Sequence, residues 1–296
     1  MRVVLTCVSP LSHGAFGESA GNTTLCRRMT VVSLPDRPRI PCVSGNALRG
    51  VLRRIVMREM LDRAQMDRAA MGARWDRLYA VLANGGHLEG TADDVIRPDE
   101  IRALRASLPP LSIFGAAMYS RMLAGRMTVG FLWPRSIETL AAGLVSEAPQ
   151  IHAEGLVVEL KHTRHVDREE QSPSVSGVTP MPETLEILAP GAILESEIFF
   201  GPGATAIEKS CIARGLDRLS AIGGRAAAGL GRVTVAHDGD AQPYSAWLEE
   251  TTDLRARLAR QLLDRDSRAL RIRMRREPGD TTRVLLRQLD RDEPHQ

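Results

Sequence analysis

The residues of this chain that could carry bond chemistry are scattered. His13, in the loop SHGAFGESAGN, is a candidate general base, and Glu18 and Asp36 are candidate acids. Each also reads simply as a structural or solvated side chain. There is no GxSxG elbow, no HExxH helix and no closely spaced acidic trio of the kind that holds magnesium in a nuclease. Cys7, Cys26, Cys42 and Cys211 form no CxxC pair, and their spacing suits neither a zinc ribbon nor a small disulfide framework, so they are expected as reduced residues in or near the core. His162 and His165, three apart, would point to opposite faces of a strand, and no third ligand lies nearby. No metal and no cofactor are expected, and the chain does not read as an enzyme.

Three segments carry residue types that bind an anion. In IPCVSGNALRGVLRR, residues 40–54, Ser44-Gly45-Asn46 sets unpaired backbone amides at the start of a helix, with Arg49 and Arg53 one and two turns along. The alternative is an ordinary capped helix with two solvated arginines. In GGRAAAGLGRV, residues 223–233, Arg225 and Arg232 flank a glycine-rich turn and could grip an oligonucleotide backbone; the alternative is a helix C-cap and a tight loop. That turn follows a helix and precedes a strand, the reverse of a dinucleotide or Walker loop, and no Gly-Lys-Ser/Thr is present. The third segment, Leu160 to His165, is a basic cluster with His162, Arg164 and His165 that is either a nucleic-acid contact or a solvated loop.

The charge balance points the same way. Of 39 basic residues only Lys161 and Lys209 are lysine, against 36 acidic residues and a net charge of +3. Arginine forks bind phosphate bidentately, although arginine-favouring codon usage would give the same bias. With 4% aromatic residues, stacking platforms cannot be the main mode of RNA binding, which favours a protein that tracks the backbone. No run of eighteen apolar residues and no signal sequence is visible, so a cytoplasmic protein with no membrane partner is expected.

The elements that must position these segments follow from periodicity. Residues 2–8 read as a buried strand, ended by Pro10 and a long glycine-rich loop. A second extended stretch covers 25–34. Three prolines in LPDRPRIP bar helix until Pro41, after which Ser44 caps a helix with Leu48, Val51, Leu52, Ile55, Val56 and Met60 at helical spacing. Residues 62–108 read as an inserted helical subdomain broken at Asn84-Gly85-Gly86. Strands are expected at 126–133, 155–161, 185–188 and 192–200, then a helix over 205–222 with Ile207, Cys211, Leu216, Leu219 and Ile222 inward. An Arg-rich amphipathic helix is expected at 244–265, with a further strand at LRIRMRR. Strand, helix, strands, strand, helix, strand is the order of an α+β, ferredoxin-like (RRM-like) split βαβ fold carrying insertions.

The strand with its glycine-rich loop, IPCVSGNALRGVLRR, the IFG at Ile113 to Gly115 and the later glycine-rich turn together resemble the RAMP superfamily of CRISPR proteins, and most closely its guide-wrapping backbone subunit. Cys42 and Asn46 depart from the Ile-Pro-Gly-Ser-Ser pattern of that family. The resemblance implies a palm over 1–61 and 111–240, a helical insertion over 62–110, a thumb hairpin at about 160–185 that wedges between guide bases, and a C-terminal helical extension over 241–296. It implies guide-phosphate contacts from Ser44, Asn46, Arg49 and Arg53, a first-loop face with Arg27 and Arg28, thumb contacts from His162, Arg164 and His165, and a grip by Arg225 and Arg232. RNA-targeting members place a catalytic aspartate in the first loop, where this chain has Asn22, and an amide does not replace a carboxylate. The type IV backbone subunit is the preferred form, then type I. The implied role is antiviral defence as a non-catalytic ribonucleoprotein component, polymerising as a helical filament along CRISPR guide RNA. Its partners would be the guide, target DNA or RNA through the guide, other copies of itself and other effector-complex subunits. The alternative is an endoribonuclease of the same superfamily, processing guides with His13 or cutting target with Glu18 or Asp36. A plain RRM-type domain is a third reading, but no candidate strand carries its aromatic signature.

Overall fold

A computed structural model describes residues 1–20, 22–72, 74–87, 97–118, 121–162 and 183–263. The first strand, Arg2–Cys7, alternates half-buried and buried residues, so Val3, Leu5 and Cys7 all face one side. Both of its neighbours come from far along the chain. It pairs antiparallel with Ile193–Phe200 on one edge, Val4 opposite Glu195, and with Val233–His237 on the other, Val4 opposite Ala236. Met127–Val129 and Trp133–Pro134 complete the sheet on the far side of Ile193–Phe200. Helix Gly45–Arg63 follows the first strand and helix Ala206–Asp217 precedes the last. Numbered by chain order as four strands, the sheet runs 4-1-3-2, which is the ferredoxin-like arrangement.

Several elements are shorter or differently paired than periodicity alone implies. The 126–133 stretch is broken at Gly130, whose amide donates to the Glu197 carbonyl at 2.9 Å. The first glycine-rich loop is itself a strand, Gly14–Ala20, pairing with Thr23–Cys26 through a register shift between Gly14 and Ser19. Glycine weakens a strand but tolerates a bulge at a sheet edge, so composition alone misreads it as loop. Thr23–Cys26 in turn lies parallel to Glu183–Leu188, which pairs antiparallel with Val157–His162. These four form the second sheet. The expected strand over 25–34 is cut at Arg27, and Arg28–Thr30 turns back on Arg39–Pro41 as a small hairpin. Val31 and Ile40 from this hairpin pack with Ala153 in a core of their own.

The chain divides into two compact units. The first takes Met1–Leu52, Met127–Gly201 and Ile212–Asp240; the second takes Arg53–Arg126, Pro202–Cys211 and, among the described residues, those from Ala241 onward. The second unit therefore begins earlier and ends later than the 62–110 insertion expected from sequence. It holds helices Arg74–Ala83, Pro98–Ser107, Pro109–Phe114 and Gln242–Glu250, and a small sheet of Gly86–His87, Ala116–Met118 and Arg121–Leu123. Gly115 of the IFG segment has φ +70, and a Cβ there would meet the Gly125 nitrogen at 2.4 Å and the Leu123 carbonyl at 2.5 Å. Only glycine lets those two backbones touch. The expected helix over 244–265 is interrupted after Glu250, where Thr251 closes one helix and Leu254–Leu258 starts the next. The expected strand at LRIRMRR lies outside the described residues. Among the described residues no helix is long and apolar enough to cross a membrane.

Candidate nucleic-acid interface

Two residues of the first loop bring the separate motifs of the first unit together. The Ser12 carbonyl accepts from the Gly224 amide at 2.8 Å, and the His13 carbonyl accepts from the Arg27 amide at 2.9 Å. The His13 ring reaches a third segment: its Nε2 accepts from the Ser44 backbone amide at 3.1 Å. Thus the glycine-rich turn, the Arg27 segment and the start of the first helix are all tied to residues 12 and 13. An accepting Nε2 places the ring proton on Nδ1. Burial, reinforced by the nearby Arg27 charge, lowers the His13 pKa and favours this neutral form. As a general base His13 would have to give up the Ser44 amide first.

The helix start is built by local chemistry. The Ser44 hydroxyl accepts from the Ala47 amide at 3.4 Å, as expected of an N-cap. Gly45 is buried, and a Cβ there would lie 2.1 Å from the Val129 carbonyl oxygen and 2.7 Å from that of Gly130. The first turn is therefore pressed flat against backbone. Asn46 is exposed beside it and Arg49 is half-buried, its pKa lowered by desolvation. With the Ser44 amide on His13 and the Ala47 amide on Ser44, the Gly45 and Asn46 amides are those that precede the first intrahelical acceptor, and the helix dipole adds positive potential there. Arg27 stands close enough for its charge to add to the lowering of the His13 pKa and to oppose the rise that burial gives Cys42, and its buried Nε makes no hydrogen bond to any described residue.

The glycine-rich turn is the most exposed part of this surface. Residues 223–229 are all exposed, with Ala226–Ala228 forming a single 3-10 turn between Arg225 and Gly229, both in left-handed backbone. A Cβ on Gly223 would meet the Ser12 carbonyl at 2.4 Å, and one on Gly231 would meet that of Ile222 at 2.1 Å, so these glycines allow the turn to seat on the first loop. Arg232 is exposed and its amide donates to Ser9 Oγ at 2.9 Å. Leu230 packs with Leu185 and Ile187 of the hairpin strand.

Two arginines expected at the RNA surface are engaged elsewhere. Arg53 is buried, and its guanidinium donates to the carbonyls of Val81 at 2.7 Å, Gly115 at 2.8 Å and Leu82. Its fork thereby makes its contacts within the second unit, to the chain around that unit's small sheet, and it leaves the phosphate set. Arg28 is held by Glu186 and by Glu154 at 3.2 Å. Burial opposes its charge, but the Glu186 hydrogen bond together with the charges of Glu186 and Glu154 outweighs burial and raises its pKa. Glu186 also accepts from the Cys26 amide at 2.9 Å. Arg28 therefore braces the strand Glu183–Leu188 and leaves the first-loop face to Arg27. Helical spacing placed Arg49 and Arg53 on one face, but spacing does not say which end of a face is covered.

Of the remaining candidates, His162 ends its strand opposite Glu183; its side chain, and Arg164 and His165 entirely, lie outside the described residues. So does the Glu18 side chain. Asp36 is exposed in the turn of the small hairpin. Asn22 is exposed, and its carbonyl accepts from the Thr184 amide at 3.1 Å. The thiols of Cys7, Cys26 and Cys42 are pushed up by burial to about 11, 12 and 11, which makes them poor nucleophiles and poor ligands. The acids of the hairpin strand, Glu183 and Glu186, were not singled out from sequence. The signal was present in ETLEIL, where a strand places these two carboxylates on opposite faces.

No family model and no curated protein matches the chain. Among solved structures, a chain of a type IV-B CRISPR complex aligns with a TM-score of 0.57 at 22% identity, covering 85% of this chain and 98% of that one. The chain has the fold of that type IV-B CRISPR complex chain. The first unit makes up about half of the residues, so a likeness to the type IV-B chain over 85% of the length runs into the second unit as well. A chain from the cryo-EM structure of the type III-B Cmr-beta complex bound to cognate target RNA aligns at a TM-score of 0.44 and 12% identity, over 79% of this chain and 95% of that one, too distant to carry argument.

Proposed function

We propose that this chain is a non-catalytic subunit of a CRISPR effector complex that holds guide RNA by its backbone and, stacked with other copies of itself, presents the guide for pairing with target nucleic acid. The observation that carries the reading is the junction at residues 12 and 13. It draws a helix N-terminus, the Arg27 guanidinium and an exposed glycine-rich turn with Arg225 and Arg232 onto one stretch of the first unit. Amides, dipole and guanidinium recognise phosphate without reading bases, so sequence would be read by guide pairing. The fold shared with the type IV-B chain supports the same setting.

The sheet surface argues against an RRM-type mode. The open face of the palm carries Arg2, Val4 and Thr6 from the first strand and Glu195, Glu197 and Phe199 from its neighbour. Glu197 and Phe199 are exposed, and half-buried Trp133, opposite Glu195 on the same face, packs against the Val31, Ile40 and Ala153 core, so phosphates would meet carboxylates with little free ring to stack on. Glu195 is held as a carboxylate: burial opposes its charge, but hydrogen bonds from Arg2 and Ser146 outweigh that, and Arg135 Nε donates to it at 3.1 Å. Against catalysis stand the engagement of His13 Nε2 and the amide at Asn22.

The test is nuclease footprinting of RNA that copurifies with the protein expressed beside a CRISPR array, with the particle sized by light scattering. The expected result is protected guide RNA of uniform length in a large particle, with labelled target left intact in divalent metal. A monomer that carries no RNA, or cutting of the array transcript at a fixed repeat position, would refute the reading.

A further inference from the structure

The strand Glu183–Leu188 carries an acid toward each of its faces. Glu183, Leu185 and Ile187 face the glycine-rich turn, where Leu230 packs on Leu185 and Ile187; Glu186 faces the other way, to Arg28. On the first face the Arg225 guanidinium reaches across to Glu183 Oε1, which also accepts from Thr24 Oγ1 at 3.4 Å. Arg225 does this from left-handed backbone, φ 60, a conformation that non-glycine residues avoid. The turn is anchored on either side of Arg225, by the Gly224 amide on the Ser12 carbonyl at 2.8 Å and by buried Leu230. The Arg225 cation is thus aimed at a carboxylate of the strand Glu183–Leu188.

We propose that Glu183 is a specificity-determining residue: it occupies Arg225 in the absence of guide and yields it only to RNA that also engages the helix start and Arg27. The inference rests on the RNA-binding reading above. A lone phosphate reaching the turn must displace a paired carboxylate, whereas a strand already held at Ser44 and Arg27 presents its phosphate at high local concentration. Stray RNA is rejected by competition, with no base contact needed. The Arg225 and Glu183 side chains are 37% and 36% exposed, so the pair is partly screened and its rupture is worth a small factor, which suits a gate that must open.

The experiment measures binding of a short single-stranded oligouridylate to the full chain by fluorescence anisotropy across a salt series. Glu183→Gln is expected to bind about two- to fivefold tighter than the unaltered protein, and its log–log salt slope to steepen by roughly 0.7, the value of one added phosphate contact. Arg225→Gln is expected to bind more weakly, and Glu183→Gln made in that background to change nothing further. Glu183→Ser, which also removes the carboxylate, must behave as Glu183→Gln does, with thermal unfolding establishing that each variant is folded. If the unaltered protein binds the oligonucleotide but Glu183→Gln and Glu183→Ser bind no tighter, the gate is overturned and the RNA-binding reading stands. If the unaltered protein does not bind RNA, the functional reading itself fails.

Discussion

Replacing Gly45 by alanine tests the helix start directly, because helix propensity and packing predict opposite signs. Alanine is favoured over glycine within a helix by up to about 1 kcal/mol, so propensity alone expects a more stable protein. The packing expects the reverse. The new Cβ would sit 2.1 Å from the Val129 oxygen and 2.7 Å from the Gly130 oxygen, both backbone atoms that no side-chain rotation can move. That backbone is pinned, since the Gly130 amide bonds to Glu197 at 2.9 Å and Leu132 exchanges bonds with Val43 at 2.9 and 3.1 Å. Reaching ordinary contact requires the first turn to move by roughly 1 Å, and overpacking of this kind costs about 1–3 kcal/mol. The net expectation is a loss of about 1 kcal/mol, or roughly 2–4 °C in melting temperature by circular dichroism for a unit of this size. Gly155→Ala is the control: its Cβ would meet Ile151 Cγ1 at 3.6 Å, an ordinary contact, and should leave the melt within about 0.5 kcal/mol of the starting protein. A Gly45→Ala protein that melts at or above the control would refute the packing argument.

Arg53→Met keeps much of the side-chain volume but leaves the carbonyls of Val81, Leu82 and Gly115 without their donor, so the second unit should lose about 3 kcal/mol, read by urea denaturation; an unchanged midpoint would return Arg53 to the surface set. Glu138 provides a pH test. Its carboxylate accepts from the Ala153 amide at 2.9 Å and pairs with His152 Nδ1 at 2.7 Å, and although burial pushes its pKa up, these and other hydrogen bonds bring it from 4.5 down to about 2. A folded value below the unfolded one contributes stability above pH about 4.5 that is lost as pH falls toward 2, at most about 3 kcal/mol. Glu138→Gln should therefore melt lower at neutral pH and lose less between pH 5 and 3; parallel pH profiles for the two proteins would contradict this.

The first helix keeps what periodicity shows. Leu48, Leu52, Val56 and Met60, spaced for one helical face, are fully buried, and Ser44 caps the helix. The glycine-rich turn falls where a helix had to end and a strand begin. Pairing across the chain is a different matter. Arg28 meets Glu186 and Arg53 meets carbonyls 28 to 62 residues away, and local spacing contains no term for such distances. The same blindness hid the strand Gly14–Ala20, whose glycines are acceptable because Thr23–Cys26 supplies a partner. For the site, residue type was a good guide to which segments matter and a poor guide to which arginine in each segment is exposed. Engagement is a property of the finished packing: Arg28 is held by Glu186 and Glu154, whereas the Nε of its equally half-buried neighbour Arg27 makes no hydrogen bond to any described residue.

The central place of the first strand has a consequence during synthesis. Arg2–Cys7 leaves the ribosome well before its partners, Ile193–Phe200 and Val233–His237. At about 5–20 residues per second the earlier partner follows after roughly 10–40 s, and throughout that interval an apolar strand has two open edges. The nascent chain must keep that strand from pairing with another copy, a pressing matter for a protein proposed to work beside many copies of itself. A chain stopped before Val233 would keep one edge open permanently. Such truncations should accumulate as aggregates even though the glycine-rich turn and the first helix are present in full.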